Sequence, residues 1–137
     1  MINITNKSTY AIKALIDLAE NQDNGLMQIK NIAKRKKIPQ NFLVQIFNKL
    51  VKAGIVKSVR GINGGYKLRY SPEKISILTI LEILEGPINL HENTDKNSSI
   101  FSLFTEAENE LKKVFNISLK SMLEKQKNIN SQIIYYI

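Results

Sequence analysis

Residues 38–69 constrain this chain most, because a helical apolar stripe there gives way directly to a pair of short, glycine-punctuated strands. Leu43, Ile46, Phe47, Leu50 and Val51 recur at i, i+3, i+4, i+7 and i+8, the spacing that lines one face of an α-helix. Ile38-Pro39 opens that helix, proline being suited to a first turn, and Ala53-Gly54 closes it. Ile55 to Arg60 then reads as a strand, with β-branched residues recurring and charges on one side. Gly61, Gly64 and Gly65 supply a turn able to take positive φ, and Asn63 also suits a left-handed position. Tyr66-Lys67-Leu68-Arg69 returns as a second strand, Tyr66 and Leu68 on one face, Lys67 and Arg69 on the other. The expected product is a hairpin with Arg60 at its bend and Lys57, Lys67 and Arg69 along its sides.

Two helices are predicted upstream. The first, capped by Thr5 or Ser8 and running to about residue 22, buries Tyr10, Ala11, Ala14, Leu15, Leu18 and Ala19. Asn24-Gly25 stops it. The second, about 28 to 36, turns Ile29, Ile32 and Ala33 inward and ends in the cation block Lys34-Arg35-Lys36-Lys37. A helix C-terminus favours cations by only ~0.3–1 kcal/mol each, so four in a row exceed that need. A phosphate-facing block and a merely solvated one both remain open at this point. On the third helix, the face opposite the apolar stripe carries Gln40, Asn41, Val44, Gln45, Asn48, Lys49 and Lys52. Amides there can read adenine edges, Val44 can touch a thymine methyl, and lysines can meet phosphates. Short helix, tight turn, amide-rich helix and basic hairpin follow the order of a winged helix-turn-helix.

The charge distribution agrees. Residues 1–70 hold 13 Lys/Arg against 3 Asp/Glu, whereas residues 71–137 hold 7 against 9. A positive field confined to one half is expected where that half meets a polyanion. No apolar run approaches the ~20 residues of a spanning helix, and the N-terminus lacks a secretory layout, so a cytoplasmic protein is expected. There are no cysteines. That removes disulfides, thiolate metal sites, cysteine-ligated iron–sulfur clusters and a cysteine nucleophile.

Tyr10-Ala11, Ile32-Ala33, Phe42-Leu43-x-Gln45-Ile46-Phe47-x-Lys49-Leu50, Ala53-Gly54-x-Val56-x-Ser58-x-Arg60-Gly61 and Gly64-Gly65-Tyr66-x-Leu68 together resemble the bacterial Rrf-type regulators. The resemblance covers nearly the whole chain, and the Ser-x-Arg-Gly-x-x-Gly-Gly-Tyr wing is its most specific part. It implies a homodimer on a partly palindromic operator, the face around Asn41, Val44 and Gln45 in the major groove and Arg60-Gly61 reaching the minor groove. The DNA-contacting set is therefore Gln40, Asn41, Val44, Gln45, Asn48, Lys49, Lys57, Ser58, Arg60, Gly61 and Lys67. Two departures matter. Members with an iron–sulfur cluster carry Glu where Val44 stands, and a carboxylate that could select cytosine amino groups is thereby lost. Members often carry Tyr where Phe42 stands, so a hydroxyl contact to phosphate is lost as well.

The expected fold is mostly α with a small β-hairpin wing: a winged helix-turn-helix over residues 1–70, then a helical dimerisation and partner-binding region over 71–137. A fourth helix holds Ile75, Leu78, Leu81, Ile83 and Leu84 and ends at Gly86-Pro87. The loop after it, where cluster-binding members place three cysteines, has none. His91 with Glu92 and Asp95 offers a conceivable hard-metal site, but a single histidine beside acids in a polar loop is ordinarily solvated, and no metal or cofactor is expected. A fifth helix, about 99 to 116, aligns Ile100, Leu103, Phe104, Ala107, Leu111 and Val114, together with Phe115, in a stripe suited to core packing or, preferably, a dimer seam. Ser118 caps a last short helix through Gln126.

Glu85-Gly86-Pro87-Ile88 and the aromatic tail resemble the cluster-free, cysteine-metabolism branch of the family. That branch implies a repressor that acts in complex with cysteine synthase, O-acetylserine thiol-lyase. Tyr135, Tyr136 and Ile137 are then the candidate partner-binding tail, because the synthase cleft accepts a C-terminal isoleucine. A tail packing on the protein's own core is the other reading of the same residues. A winged helix used for protein or RNA contact without an operator is the competing function. An enzyme has no support in the residues: no nucleophile triad, paired acids in a cleft pattern, or phosphate-binding Gly-Lys-Ser/Thr loop is present.

Overall fold

The protein was described from a computed structural model, which describes residues 3–136. Helix α1 (Asn6–Glu20) is the scaffold on which the rest is laid. Thr5 caps it, its hydroxyl accepting from the Lys7 N–H at 3.3 Å. Ala11, Ala14, Leu15, Leu18 and Ala19 are buried, and the small residues among them let neighbouring helices approach closely. The helix ends two residues before the expected stop, at Glu20. It packs against α2 (Ile29–Lys36), α3 (Gln40–Lys52), α4 (Ile77–Glu85) and α6 (Leu119–Tyr136). One cluster of buried side chains accordingly runs from Ala11 through Phe47 and Ile80 to Leu123.

Helix α2 ends at Lys37, whose φ of 56° is the one left-handed non-glycine backbone among the described residues. The Ile38 N–H closes that end by donating to the Ala33 carbonyl at 2.9 Å. Pro39 is the N-cap of α3 rather than a member of its first turn. Leu43, Ile46, Phe47 and Leu50 are buried as the spacing requires; each contributes ~1.5–3 kcal/mol of burial. These four side chains fix the rotation of α3 and so decide which residues it shows to solvent.

The two strands are β1 (Val56–Val59) and β2 (Gly65–Leu68), antiparallel, with Val56 opposite Leu68, Lys57 opposite Lys67 and Ser58 opposite Tyr66. The free edge of β2 is partly closed by Met27, which exchanges two backbone hydrogen bonds with Tyr66 at 2.8 and 2.9 Å. Tyr66 also lays its ring edge-on against Phe47 at 5.0 Å, locking the hairpin to α3. Positive φ occurs at Gly61 and Gly65, not at Asn63 or Gly64. Gly64 is required for a different reason: a Cβ there would collide with the Val59 carbonyl across the bend.

In the C-terminal half, α4 starts two residues later than expected, so its buried face is Ile77, Ile80, Leu81 and Leu84, while Ile75 is buried just outside it. Gly86 ends it. Helix α5 (Ser99–Phe115) begins at Ser98, whose hydroxyl accepts from the Phe101 N–H at 3.1 Å. Helix α6 opens as expected, the Ser118 hydroxyl accepting from Ser121 N–H at 3.0 Å, but it continues to Tyr136 rather than stopping near Gln126. The side chains of Tyr135 and Tyr136, and all of Ile137, lie outside the described residues. No described helix is long and apolar enough to cross a membrane.

Candidate nucleic-acid interface

The cation block at the end of α2 is divided between an internal tie and solvent. Arg35 makes a two-pronged pair with Asp17 of α1, Nη2 to Oδ2 at 2.7 Å and Nε to Oδ1 at 3.0 Å. Asp17 is 1% exposed, so this pair is an internal tie between α1 and α2. The hydrogen bond to Asp17 raises the Arg35 pKa above its ordinary value, against the opposing effect of burial. Lys36 lies 3.9 Å from Glu20. Lys34 and Lys37 remain exposed.

With its apolar stripe turned into the core, α3 presents Gln40, Asn41, Val44, Gln45, Asn48 and Lys49 to solvent. On the wing, Lys57, Ser58, Arg60, Gly61 and Lys67 are exposed as well. The C-terminal end of α3 and the bend of the wing share one surface. An open groove of about 860 Å³ runs between them, with Asn48, Lys49 and Lys52 along the helix wall and Ser58, Arg60 and Gly61 along the wing wall. Amide donors and acceptors thus stand beside cations on a concave, solvent-facing strip, the combination used to hold phosphates while reading base edges.

The wing has an electrostatic peculiarity. Lys57 and Lys67 are direct cross-strand partners, and like charges in that register destabilise a hairpin.

The loop after α4 is built differently from a metal site. His91 Nδ1 faces Glu108 Oε1 of α5 at 3.3 Å, and its ring stacks edge-on against Phe101 at 4.9 Å. Glu108 is buried, and burial alone would raise its pKa. The Leu90 N–H at 3.1 Å, then Lys112 and His91, outweigh that and hold it below the usual carboxylate range. The Leu90 N–H bond to Glu108 and the stacking of His91 on Phe101 therefore join the loop to α5. The sequence gives no sign of this partner, because Glu108 stands between Glu106 and Glu110 on the same helix.

Comparison with known proteins settles the family. The model for Rrf2, described as iron-dependent transcriptional regulators, matches residues 4–130. The chain belongs to the Rrf2 family. The regulator NsrR of Bacillus licheniformis is 36% identical over 125 residues, 90% of this chain and 85% of that protein. Among solved structures, CymR, the global cysteine regulator of B. subtilis, superposes with a TM-score of 0.79 at 29% identity, covering 91% of this chain and 98% of that one. IscR of T. potens gives 0.78 at 32% identity, over 91% and 88%. The chain spans under two thirds of the length of the first curated relatives it matches; a Synechocystis relative, 44% identical over 84 residues, is covered over 57% of its length. The relatives matched are named as HTH-type transcriptional regulators.

The family description mentions iron, and the donor set here does not fit such a group. The chain has no cysteine, it has a single histidine, and no three His, Asp or Glu converge among the described residues.

Proposed function

We propose that this chain is a homodimeric transcriptional regulator, most simply a repressor, that places α3 in the major groove and the β1–β2 wing against the minor groove of an operator. The supporting observation is the shared groove that brings Arg60 and Gly61 to face Asn48 and Lys49. Gln40, Asn41, Val44, Gln45 and Asn48 read bases, while Lys49, Lys57, Ser58 and Lys67 meet phosphates and Arg60-Gly61 enters the narrow groove. Residues 1–70 read DNA and residues 71–137 dimerise. The dimer seam uses α5, whose Ile100, Leu103 and Val114 are 54, 61 and 66% exposed and whose Phe104 and Leu111 are a little over a third exposed. Ala107 completes that stripe, which is too apolar to be left in water. In a mobility-shift titration, Arg60→Ala should weaken binding far more than Lys96→Ala on the remote loop. Equal effects would refute the assignment. A winged helix serving protein or RNA contact would instead show no preferred duplex.

The finer reading is control of cysteine metabolism in complex with cysteine synthase. It is favoured by the absence of thiolates and by the likeness to the cysteine regulator of B. subtilis. Tyr135, Tyr136 and Ile137 dock in the synthase cleft, and O-acetylserine releases them. Calorimetric titration of the synthase with the full chain and with a chain lacking Ile137 tests this; unchanged affinity would remove the docking role.

A further inference from the structure

The bend of the wing holds a side chain that the fold does not need. The Gly64 N–H donates to the Gly61 carbonyl at 3.0 Å, closing a four-residue turn whose central pair is Ile62 and Asn63. Turn centres draw Gly, Pro, Asn, Asp or Ser for reasons of backbone conformation or local hydrogen bonding, and isoleucine supplies neither. Ile62 is 96% exposed and belongs neither to the buried cluster nor to the hydrophobic residues packed on it. Arg60 stands two residues away, and the Lys57–Lys67 pair lies behind on the same hairpin. One apolar side chain on a surface is ordinary. One set at the apex of a cationic hairpin is not, because the charge directs that apex toward phosphates and its outermost group enters the groove first.

We propose that Ile62 is a hydrophobic wedge for duplex DNA. As the wing enters the minor groove, the isoleucine inserts partway between two stacked base pairs, opening the step and kinking the duplex toward the major groove. Aliphatic wedges of this kind bend DNA by roughly 20–90°. Flexible pyrimidine–purine steps open most easily, so Ile62 gives the operator a preference at a position no hydrogen bond reads. This inference rests on the operator-binding reading above and adds to it a named residue and a deformation.

The test uses a duplex selected from a random pool by the wild-type chain, carrying 2-aminopurine at successive positions under the wing and dyes at its ends. Binding of the wild type should brighten one 2-aminopurine, by unstacking, and shorten the end-to-end distance. Ile62→Leu should keep both signals. Ile62→Ser should lose both and bind about ten- to a hundredfold more weakly, the burial of one aliphatic side chain converted to affinity. Its melting temperature should not change, because Ile62 touches no core residue. If Ile62→Ser bends, brightens and binds like wild type while Arg60→Ala loses binding, the wedge is overturned and the operator reading stands. If Arg60→Ala also binds like wild type, or the pool yields no preferred duplex, the operator reading fails and the wedge fails with it.

Discussion

Replacing Lys67 by Thr should make the free protein slightly more stable and its DNA complex weaker. Lys57 and Lys67 are opposed in the β1–β2 register, and side chains so placed have Cβ atoms ~4.5–5.5 Å apart. The ammonium groups end flexible chains and stand farther apart than this, so the ~0.8 kcal/mol by which two unit charges repel at ~5 Å in water is an upper bound. Both lysines are exposed, and at physiological salt the Debye length of about 8 Å reduces this further, to a few tenths of a kcal/mol. Threonine also suits a strand better than lysine, which adds in the same direction. The expected gain is therefore about 0.5 kcal/mol, roughly 1–2 °C in melting temperature for a chain of this size. On DNA the sign reverses. A lysine that neutralises one phosphate contributes about 0.9 to the slope of log affinity against log salt, and a dimer loses two, so the slope should fall by about 1.8. Thermal melts of the free protein and mobility-shift titrations at three salt concentrations measure the two effects separately. A variant that is less stable and keeps the wild-type slope would refute both halves of the reasoning.

Other perturbations separate the internal contacts from the external ones. Arg35→Ala should cost about 2–3 kcal/mol in urea unfolding, below the usual figure for a broken buried pair because Arg35 is itself partly exposed. Adding Asp17→Asn should recover part of it, since the stranded charge is removed. Gly64→Ala forces the Val59 carbonyl away and should destabilise the hairpin by ~1–3 kcal/mol, read as lost stability together with lost DNA binding. Leu103→Glu or Val114→Glu should convert the dimer to monomers in sedimentation velocity without lowering helical content. Glu85 accepts from the Thr5 N–H at 2.6 Å, and although burial raises its pKa, that bond and the Thr5 hydroxyl hold it below the ordinary value. A lowered folded pKa means stability present above the unfolded value of about 4.3 and lost as pH falls through the folded one. Glu85→Gln should therefore flatten the loss of stability in acid melts below about pH 4–5.

Much of the first half of the molecule is legible in the residues. The stripe from Leu43 to Val51 fixed α3 and, by subtraction, its outer face, because one apolar stripe leaves only one rotation. The wing was legible because β-branched residues, three glycines and an alternating Tyr66-Lys67-Leu68 agree on one hairpin. What failed was pairing across distance. Asp17 and Arg35 are 18 positions apart, and an acid on an amphipathic helix looks solvated until its partner helix is placed. The Met27–Tyr66 bridge was hidden for the same reason, two backbone segments meeting without a side-chain signal. Gly64 was read as a left-handed residue when crowding against Val59 demands it. The full length of helix α6 is not legible because Lys125-Gln126-Lys127-Asn128 carries no apolar stripe, and the Ile129 and Ile133 that follow are about half exposed.

The central claim is that the groove between α3 and the wing recognises one duplex sequence. Its most direct measurement is the ratio of affinities for a selected duplex and its scrambled counterpart, at low and at moderate salt. Both affinities should fall steeply with salt while the selected duplex stays at least ~10³-fold tighter. Equal affinity for the two duplexes would contradict the account.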